Sequence, residues 1–275
     1  MCLVALAVAQ SPRFPWVLAA NRDELFQRPA APLGWWQPAG GRADVLSGRD
    51  LSAGGTWLGL TRAGRLALLT NVREPGRFDP AAASRGALVL QALSGDALGP
   101  ADAAGLLEAA AVPRNGYNLV VADLRSGAAA WASNRPAPQS RALGTGLFGL
   151  SNASLDTPWP KVTQLKQRLG DAVAAAQSPH HLITAAFAAL ADRQCAPDAT
   201  LPATGLPLQR ERQLSPAFVR IDSPADGAAG VYGTRCSTLV VVEQQGAQRR
   251  VQVVERRYGE DGAISGETAL SCLLA

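Results

Sequence analysis

Ala19-Ala20-Asn21-Arg22-Asp23-Glu24, read together with Cys2 at the start of the chain, decides the fold. Leu3 to Val8 and Trp16 to Ala20 are short apolar runs, and the segment from Gln10 to Pro15 between them carries two prolines and a polar pair. That pattern predicts a β-hairpin with a loop between its strands. Antiparallel pairing brings Cys2, at the start of the first strand, beside Asn21–Glu24 at the end of the second. A thiol, a guanidinium and two carboxylates therefore meet at one end of a sheet. An isolated charged turn beside a cysteine is ordinarily a salt bridge and nothing more. The position of the thiol argues for chemistry.

Cys2 follows the initiator methionine, and its side chain is small enough for Met1 to be removed after synthesis. Thiol and free α-amine would then sit on one residue. An α-amino group titrates near roughly 7.7–8.0, which suits a general base at neutral pH. A cysteine titrates at about 8.5, and a neighbouring arginine lowers that value. This is the N-terminal-nucleophile arrangement, in which nucleophile and base share a residue and nearby groups orient them.

Composition narrows the alternatives. With 275 residues, 47% hydrophobic and 17% charged, the chain can bury a full core, as one domain spanning 1–275 or as two intimately packed halves. The net charge of +4 comes from scattered arginines, and the close pairs Arg249-Arg250 and Arg256-Arg257 flank the strand-like Val251–Val254. A nucleic-acid surface needs a denser basic stripe with interleaved aromatics, and aromatics are only 5% here. No nucleic-acid partner is expected. Cys2–Ala9 has no basic residue before its short apolar run, unlike a secretion signal, and no stretch approaches the ~18 apolar residues of a membrane span. The cysteines Cys2, Cys195, Cys236 and Cys272 are widely spaced, which fits free thiols in a cytoplasmic chain better than a disulfide framework.

Along the chain, Phe26 to Gly41 reads as an irregular Pro-rich segment, and Val45–Asp50 as a short strand. A second hairpin follows, Thr56–Thr61 with Arg65–Asn71, after the turn signal Gly54-Gly55. Ser84 is an N-cap candidate for a helix over Arg85–Leu93, and Pro100–Ala111 is a second helical stretch. Strands resume at Tyr117–Asp123, Ala128–Ser133 and Leu147–Leu150. Two amphipathic helices begin near Pro158 and Pro179, with Val162, Leu165, Leu169 and Val173 on one buried face and Leu182, Ala186, Phe187 and Leu190 on the other. Cys195 to Ser215 reads as a long Pro-containing loop, and loops of that length are more often functional than not. Ala217–Ile221, Ser237–Glu243 and Val251–Arg257 supply the last strands. The order strands, helices, strands, helices, strands predicts two packed antiparallel sheets with helices outside them.

Several motifs now stand in order: Met1-Cys2, Asn21-Arg22-Asp23-Glu24, Gly54-Gly-Thr-Trp-Leu-Gly59, Leu69-Thr-Asn71, Ser84-Arg85-Gly86, Leu150-Ser-Asn152, Pro158-Trp-Pro-Lys161, Leu201-Pro-Ala-Thr-Gly205 and Tyr232-Gly-Thr-Arg235. Together they resemble the NRDE family, the transport and Golgi organisation 2-like proteins, over nearly the whole chain. The resemblance implies an α+β fold of N-terminal-nucleophile hydrolase type, a four-layer αββα sandwich. It also suggests a distant likeness to the cholylglycine hydrolase and penicillin acylase group. By that likeness Cys2 is the nucleophile, Arg22 holds its sulfur and Asp23 partners its α-amine. Asn71 and Asn152 are oxyanion-site candidates, and Arg235 supports the nucleophile from across the sheet. Asn21, Glu24 and Trp57 are candidate ligand contacts. In those acylases the Arg and Asp are separated by two residues, whereas here they are adjacent. Neighbours on a strand face opposite ways, so both reach Cys2 only if Asn21–Glu24 turns or bulges.

The family resemblance also implies haem trafficking and lipid or acyl-CoA metabolism, so the expected partner is a small acyl compound or haem. No cofactor is required by either reading. His180-His181 are the only histidines and begin a helix without a carboxylate cluster, so no zinc site is expected. A bound haem would find its axial ligand in His180, His181 or a cysteine. Trp35-Trp36 and Trp57 could line an apolar pocket. The glycine pairs lack the context of a nucleotide-binding loop.

Overall fold

The computed structural model describes residues 2–39, 44–94, 113–222 and 230–274. The first hairpin pairs β1 (Cys2–Val8) with β2 (Trp16–Leu25). These strands sit inside a seven-stranded antiparallel sheet that also holds β10 (Gly146–Leu150), the two-residue β11 (Arg220–Ile221), β12 (Tyr232–Gln245), β13 (Gln248–Tyr258) and β14 (Ile264–Leu274). Its order is β10-β1-β2-β12-β13-β14, with β11 against β12. The second sheet runs in chain order from β3 (Ala30–Trp36) through β4 (Val45–Asp50), β5 (Leu58–Thr61), β6 (Arg65–Asn71), β7 (Tyr117–Asp123) and β8 (Ala129–Ser133) to β9 (Gln139–Leu143).

Strand periodicity explains how the layers form. Even-numbered β1 and β2 residues such as Val4, Leu6, Trp16 and Leu18 join Leu60, Leu66 and Val120 of the second sheet in the inter-sheet core. Odd-numbered Leu3, Ala5, Val17 and Ala19 pack under α2 (Pro160–Ala175) and α3 (Pro179–Leu190). Both faces of the hairpin are buried, so its apolar residues do not alternate with polar ones. On the far side, α1 (Gly86–Ser94) covers β6 and β7 through Leu88, Val89 and Leu93. The result is the α+β sandwich, helices outside two antiparallel sheets.

Some expectations change. The Phe26–Gly41 segment contains strand β3, which pairs antiparallel with β4. Cys195 to Ser215 is not bare loop, because it holds a 3-10 turn at Asp198–Thr200 and the short helix α4 (Leu208–Gln213). Strands β9 and β14 have no expectation behind them. Both are sheet edges with exposed residues, so neither shows an apolar run. The helix expected over Pro100–Ala111 lies outside the described residues.

Two glycine motifs turn out to be one contact. A Cβ on Gly55 would lie 2.8 Å from the backbone carbon of Gly86, so the β4–β5 turn and the start of α1 meet backbone to backbone. That contact seats Arg85 at the mouth of the cavity described below. Gly55→Ala should lower unfolding stability by about 1–3 kcal/mol in urea denaturation, because backbone rather than a flexible side chain must move. Gly144→Ala, with open space around its Cβ, should stay within about 0.5 kcal/mol of wild type.

Candidate functional site

Strand register assembles the site. Cys2 pairs with Arg22 of β2, and Arg22 pairs on its other side with Cys236 of β12. The row Cys2, Arg22, Cys236 therefore crosses three strands on the inter-sheet face. A register shift between Thr234 and Cys236 makes Arg235 the extra residue of a bulge, so the irregularity sits in β12 and not in Asn21–Glu24. Arg22 and Asp23 keep the opposite directions of a regular strand.

Both nevertheless reach one cavity of about 610 Å³, because it opens at the end of the sheet, where a wall can take side chains from either face. Cys2, Arg22, Asp23, Glu24, Trp57 and Asn71 all line it. The Arg22 side chain is only 6% exposed and its guanidinium carbon lies 4.2 Å from the centre of the Trp57 ring. Its Nη2 is 3.7 Å from Asp50 and 3.9 Å from Glu24, too long for hydrogen bonds. Among the described residues its buried Nη1 has no hydrogen-bond partner. A buried donor left unpaired is costly, on the order of 1–3 kcal/mol, so Arg22 is held beside the thiol at some expense to stability.

Each carboxylate has a defined environment. Asp50 is tied to Arg28, Nε to Oδ2 at 2.7 Å; burial pushes its carboxyl up, but that bond and the Ala53 amide leave it below the ordinary value. Asp23 is 1% exposed and accepts from the Thr234 hydroxyl at 2.7 Å; burial raises its carboxyl, with Lys161 the leading opposing influence. The Cys2 thiol is also raised by burial, with Asp23 and Glu24 adding to the rise and Arg22 opposing it.

Asn21 is the clearest correction. Expected as a ligand contact, it is 1% exposed and faces the helices: its Nδ2 donates to the carbonyls of Leu190 and Ala217, and its Oδ1 accepts from Ser237. Asn152 is likewise committed, since its Nδ2 donates to the Asn71 carbonyl at 2.9 Å. It borders a separate cavity of about 340 Å³ with Arg73 and Trp159, not the one at Cys2. Asn71 does line the Cys2 cavity, and among the described residues its side chain has no hydrogen-bond partner. Arg235 stands outside the lining. Its Nη1 donates to the carbonyls of Leu25 and Arg28, so it fastens the end of β2. His180 and His181 lie in the first turn of α3, away from the cavity, where Cys2 and Tyr232 are the side chains able to ligate a haem iron. Among the described residues no cluster of three His, Cys, Asp or Glu could hold a metal ion.

The structure adds residues that the sequence reading did not single out. Arg85 lines the same cavity; burial pulls its guanidinium below the ordinary value, with Cys2 and Glu24 the leading opposing influences. Tyr232 lines it with a phenol that burial, then Asp23, Glu24 and Cys2, hold well above the ordinary range, so it stays a donor. The Ser151 hydroxyl donates to the Cys2 carbonyl at 3.0 Å. All three belong to motifs quoted from the sequence, which is the signal that could have found them.

Asn21→Ala should lose about 1–3 kcal/mol in urea unfolding, since buried carbonyls lose their donor, whereas Asn71→Ala should change stability by less than about 0.5 kcal/mol. Cys236 gives a pH test. Burial, then Glu255, hold its thiol well above the ordinary value. A raised thiol contributes stability that is intact below the unfolded value of about 8.5 and is lost as pH rises above it. Cys236→Ala should therefore lose less of its urea midpoint between pH 7.5 and 10 than wild type does.

The family model for Transport and Golgi organisation 2 matches residues 1–260. A Bos taurus Transport and Golgi organization protein 2 homolog is 36% identical over 242 residues, covering 84% of this chain and 83% of the relative. The Homo sapiens homolog is 33% identical over 240 residues with the same two coverages. Among solved structures, a mutant conjugated bile acid hydrolase from Clostridium perfringens superposes with a TM-score of 0.50 at 12% identity, covering 98% of this chain and 92% of that one. That likeness extends to the fold alone. Among the described residues no helix is long and apolar enough to cross a membrane. The matched family model and the relatives agree on one assignment: the chain belongs to the Transport and Golgi organisation 2 family.

Proposed function

We propose that this protein is an N-terminal-nucleophile hydrolase that cleaves an amide- or thioester-linked acyl compound at Cys2. The observation that carries the reading is the pairing of Cys2 with Arg22, both of which line a cavity sized for a small ligand. The fold likeness to a conjugated bile acid hydrolase supports it in outline.

In this mechanism Met1 is removed and the α-amine of Cys2 takes the thiol proton. The sulfur attacks the acyl carbon, and the carbonyl π pair moves to oxygen, where Asn71 and Arg22 meet the negative charge. Collapse expels the amine or thiol, which leaves with the proton returned by the α-amine. Water, deprotonated by the same amine, then attacks the thioester, releasing a carboxylic acid and restoring the thiol. Trp57, Leu69 and Phe78 offer the acyl chain an apolar wall, while Glu24 and Arg85 flank its polar end.

A second reading follows from the Cys2 thiol, which burial pushes up rather than down. If Met1 stays in place there is no amine on Cys2 to act as base, and the cavity then serves as a carrier site for an acyl-CoA-like compound or haem.

Intact mass of the natively expressed protein decides between them, followed by incubation with a panel of fatty acyl thioesters and acyl anilides. The expected result is loss of Met1 and an acyl adduct on Cys2. Cys2→Ala should abolish turnover, and Asn71→Ala should lower kcat by about 10²–10³-fold. Retained Met1, or full activity in Cys2→Ala, would overturn the hydrolase reading.

A further inference from the structure

The cavity of about 340 Å³ is separate from the one at Cys2 and has a charged wall of its own. The chain just after β6 supplies Val72, Arg73, Glu74 and Arg77, and Arg135 joins them from just after β8. Trp159, ahead of α2, adds an aromatic ring to the lining. Sites for small molecules run from roughly 300 to 1,000 Å³, so this one suits a compact ligand.

The backbone behind the wall is fixed. The Val72 amide donates to the Gly116 carbonyl at 2.9 Å, the Arg73 amide to the Asn152 carbonyl at 2.7 Å, and the Arg77 amide to the Glu74 carbonyl at 3.1 Å. Gly116 contributes by what it lacks. A Cβ there would lie 2.5 Å from Glu74 Oε2 and 3.1 Å from Arg135 Cγ, so a bare glycine makes room for those two side chains to meet.

The charges of the wall do not balance. Arg73 is buried, stacks over the Trp159 ring at 4.7 Å and pairs with Glu211, Nη1 to Oε2 at 2.5 Å, so a carboxylate outside the lining answers it. That leaves Arg77 and Arg135 with a single carboxylate, Glu74. Arg135 Nε donates to Glu74 Oε1 at 2.8 Å, while Arg77 Nη1 stays 3.9 Å from the same oxygen. Among the described residues the Arg77 guanidinium makes no hydrogen bond, and Arg135 uses Nε and Nη1 but not Nη2. An arginine as exposed as Arg77, whose side chain is 79% accessible, is ordinarily just solvated. Arg135 is different, because at 32% exposure it is held by two hydrogen bonds against the same cavity. Two guanidinia share one carboxylate, and a positive charge is left over at a concave surface.

We propose that this cavity is a second binding site, for a small compound bearing a carboxylate or phosphate group that Arg77 and Arg135 grip. A guanidinium presents paired N–H donors that match either oxyanion, and such charge-assisted bonds are stronger than neutral ones. Val72 and Trp159 take the apolar body of the compound. Glu74 is a built-in competitor: it engages Arg135 Nε and opposes an incoming anion by like charge. The site needs nothing from the chemistry at Cys2 and stands whether or not Met1 is removed.

Isothermal titration calorimetry of the full 275-residue chain with phenyl phosphate, benzoate and benzylamine, at low salt, tests the assignment. Saturable binding of at least one of the two anions, and none of benzylamine, is expected. Binding of phenyl phosphate alone assigns phosphate recognition, and of benzoate alone carboxylate recognition. Arg77→Gln and Arg135→Gln should each weaken that binding about fivefold or more, and Glu74→Gln should tighten it by about threefold, a gain that a purely structural carboxylate does not give. The Cys2 cavity also holds arginines, so Arg85→Gln is the control and should leave affinity within about twofold. No saturable binding of either anion, preference for benzylamine, or affinity lost in Arg85→Gln but kept in Arg77→Gln and Arg135→Gln overturns the proposal. Should Arg135→Gln fail to fold, the opposite responses expected of Arg77→Gln and Glu74→Gln decide it, and equal affinity in both overturns it.

Discussion

The pairing of Cys2 with Arg22, and of Arg22 with Cys236, is the constraint on which the site depends. Side chains on a strand alternate with a period of two, so slipping this register by one residue would send Arg22 to the helices and Asn21 to the cavity. What prevents the slip is burial on both faces. Trp16 and Leu18 belong between the sheets, while Val17 and Ala19 belong under α2 and α3. Each layer rejects the other's residues by size, since the helix-facing positions of β1 are mostly alanine. The chemistry at the strand end is thus held by packing along the strand's whole length.

Polar clasps complete what register begins. Asn152, just beyond β10, donates to the Asn71 carbonyl at the end of β6, and the Arg73 amide donates back to the Asn152 carbonyl at 2.7 Å. The Asn118 amide on β7 reaches the Ala153 carbonyl. These bonds join the two sheets at the end where the cavity opens. They explain why Asn152 borders the cavity's neighbour rather than the cavity itself: its amide is holding Asn71 in place. An oxyanion donor on Asn71 would then be rigid because another asparagine fixes its backbone.

The hairpin, the two-sheet order and the amphipathic helices were legible because each rests on local period and turn chemistry. Phe26–Gly41 misled because Pro29 and Pro32 advertise irregular chain, although Pro32 falls where the β3–β4 register shifts and a missing amide matters least. β14 was invisible because an edge strand exposes alternate residues and needs no apolar run. The site was legible as a set of residue types, but not as directions. Asn21 and Arg22 are equally polar in sequence, and only the layer each faces makes one a structural clasp and the other a cavity wall. Lys161 showed the reverse problem, since a lysine in a helix's first turn reads as a solvated surface residue until the packing of α2 on β1 buries it.

Charge placement then separates structural from functional groups. Arg73 and Glu211, Arg28 and Asp50, and Arg135 and Glu74 each form close pairs. Arg22 differs: its contacts with Asp50 and Glu24 stay beyond hydrogen-bond length, its guanidinium stacks over the Trp57 ring, and among the described residues its buried Nη1 has no hydrogen-bond partner. A fold built for stability alone would pair it or replace it with an apolar side chain, because buried ion pairs often add little to stability. Among the described residues Lys161 makes one hydrogen bond for its three donors. Arg22 lies between the sheets beside Cys2, and Lys161 lies in the helix layer on the other face of that sheet. Buried cations with incomplete hydrogen bonding lower stability, and the packing of the layers around them must offset that loss.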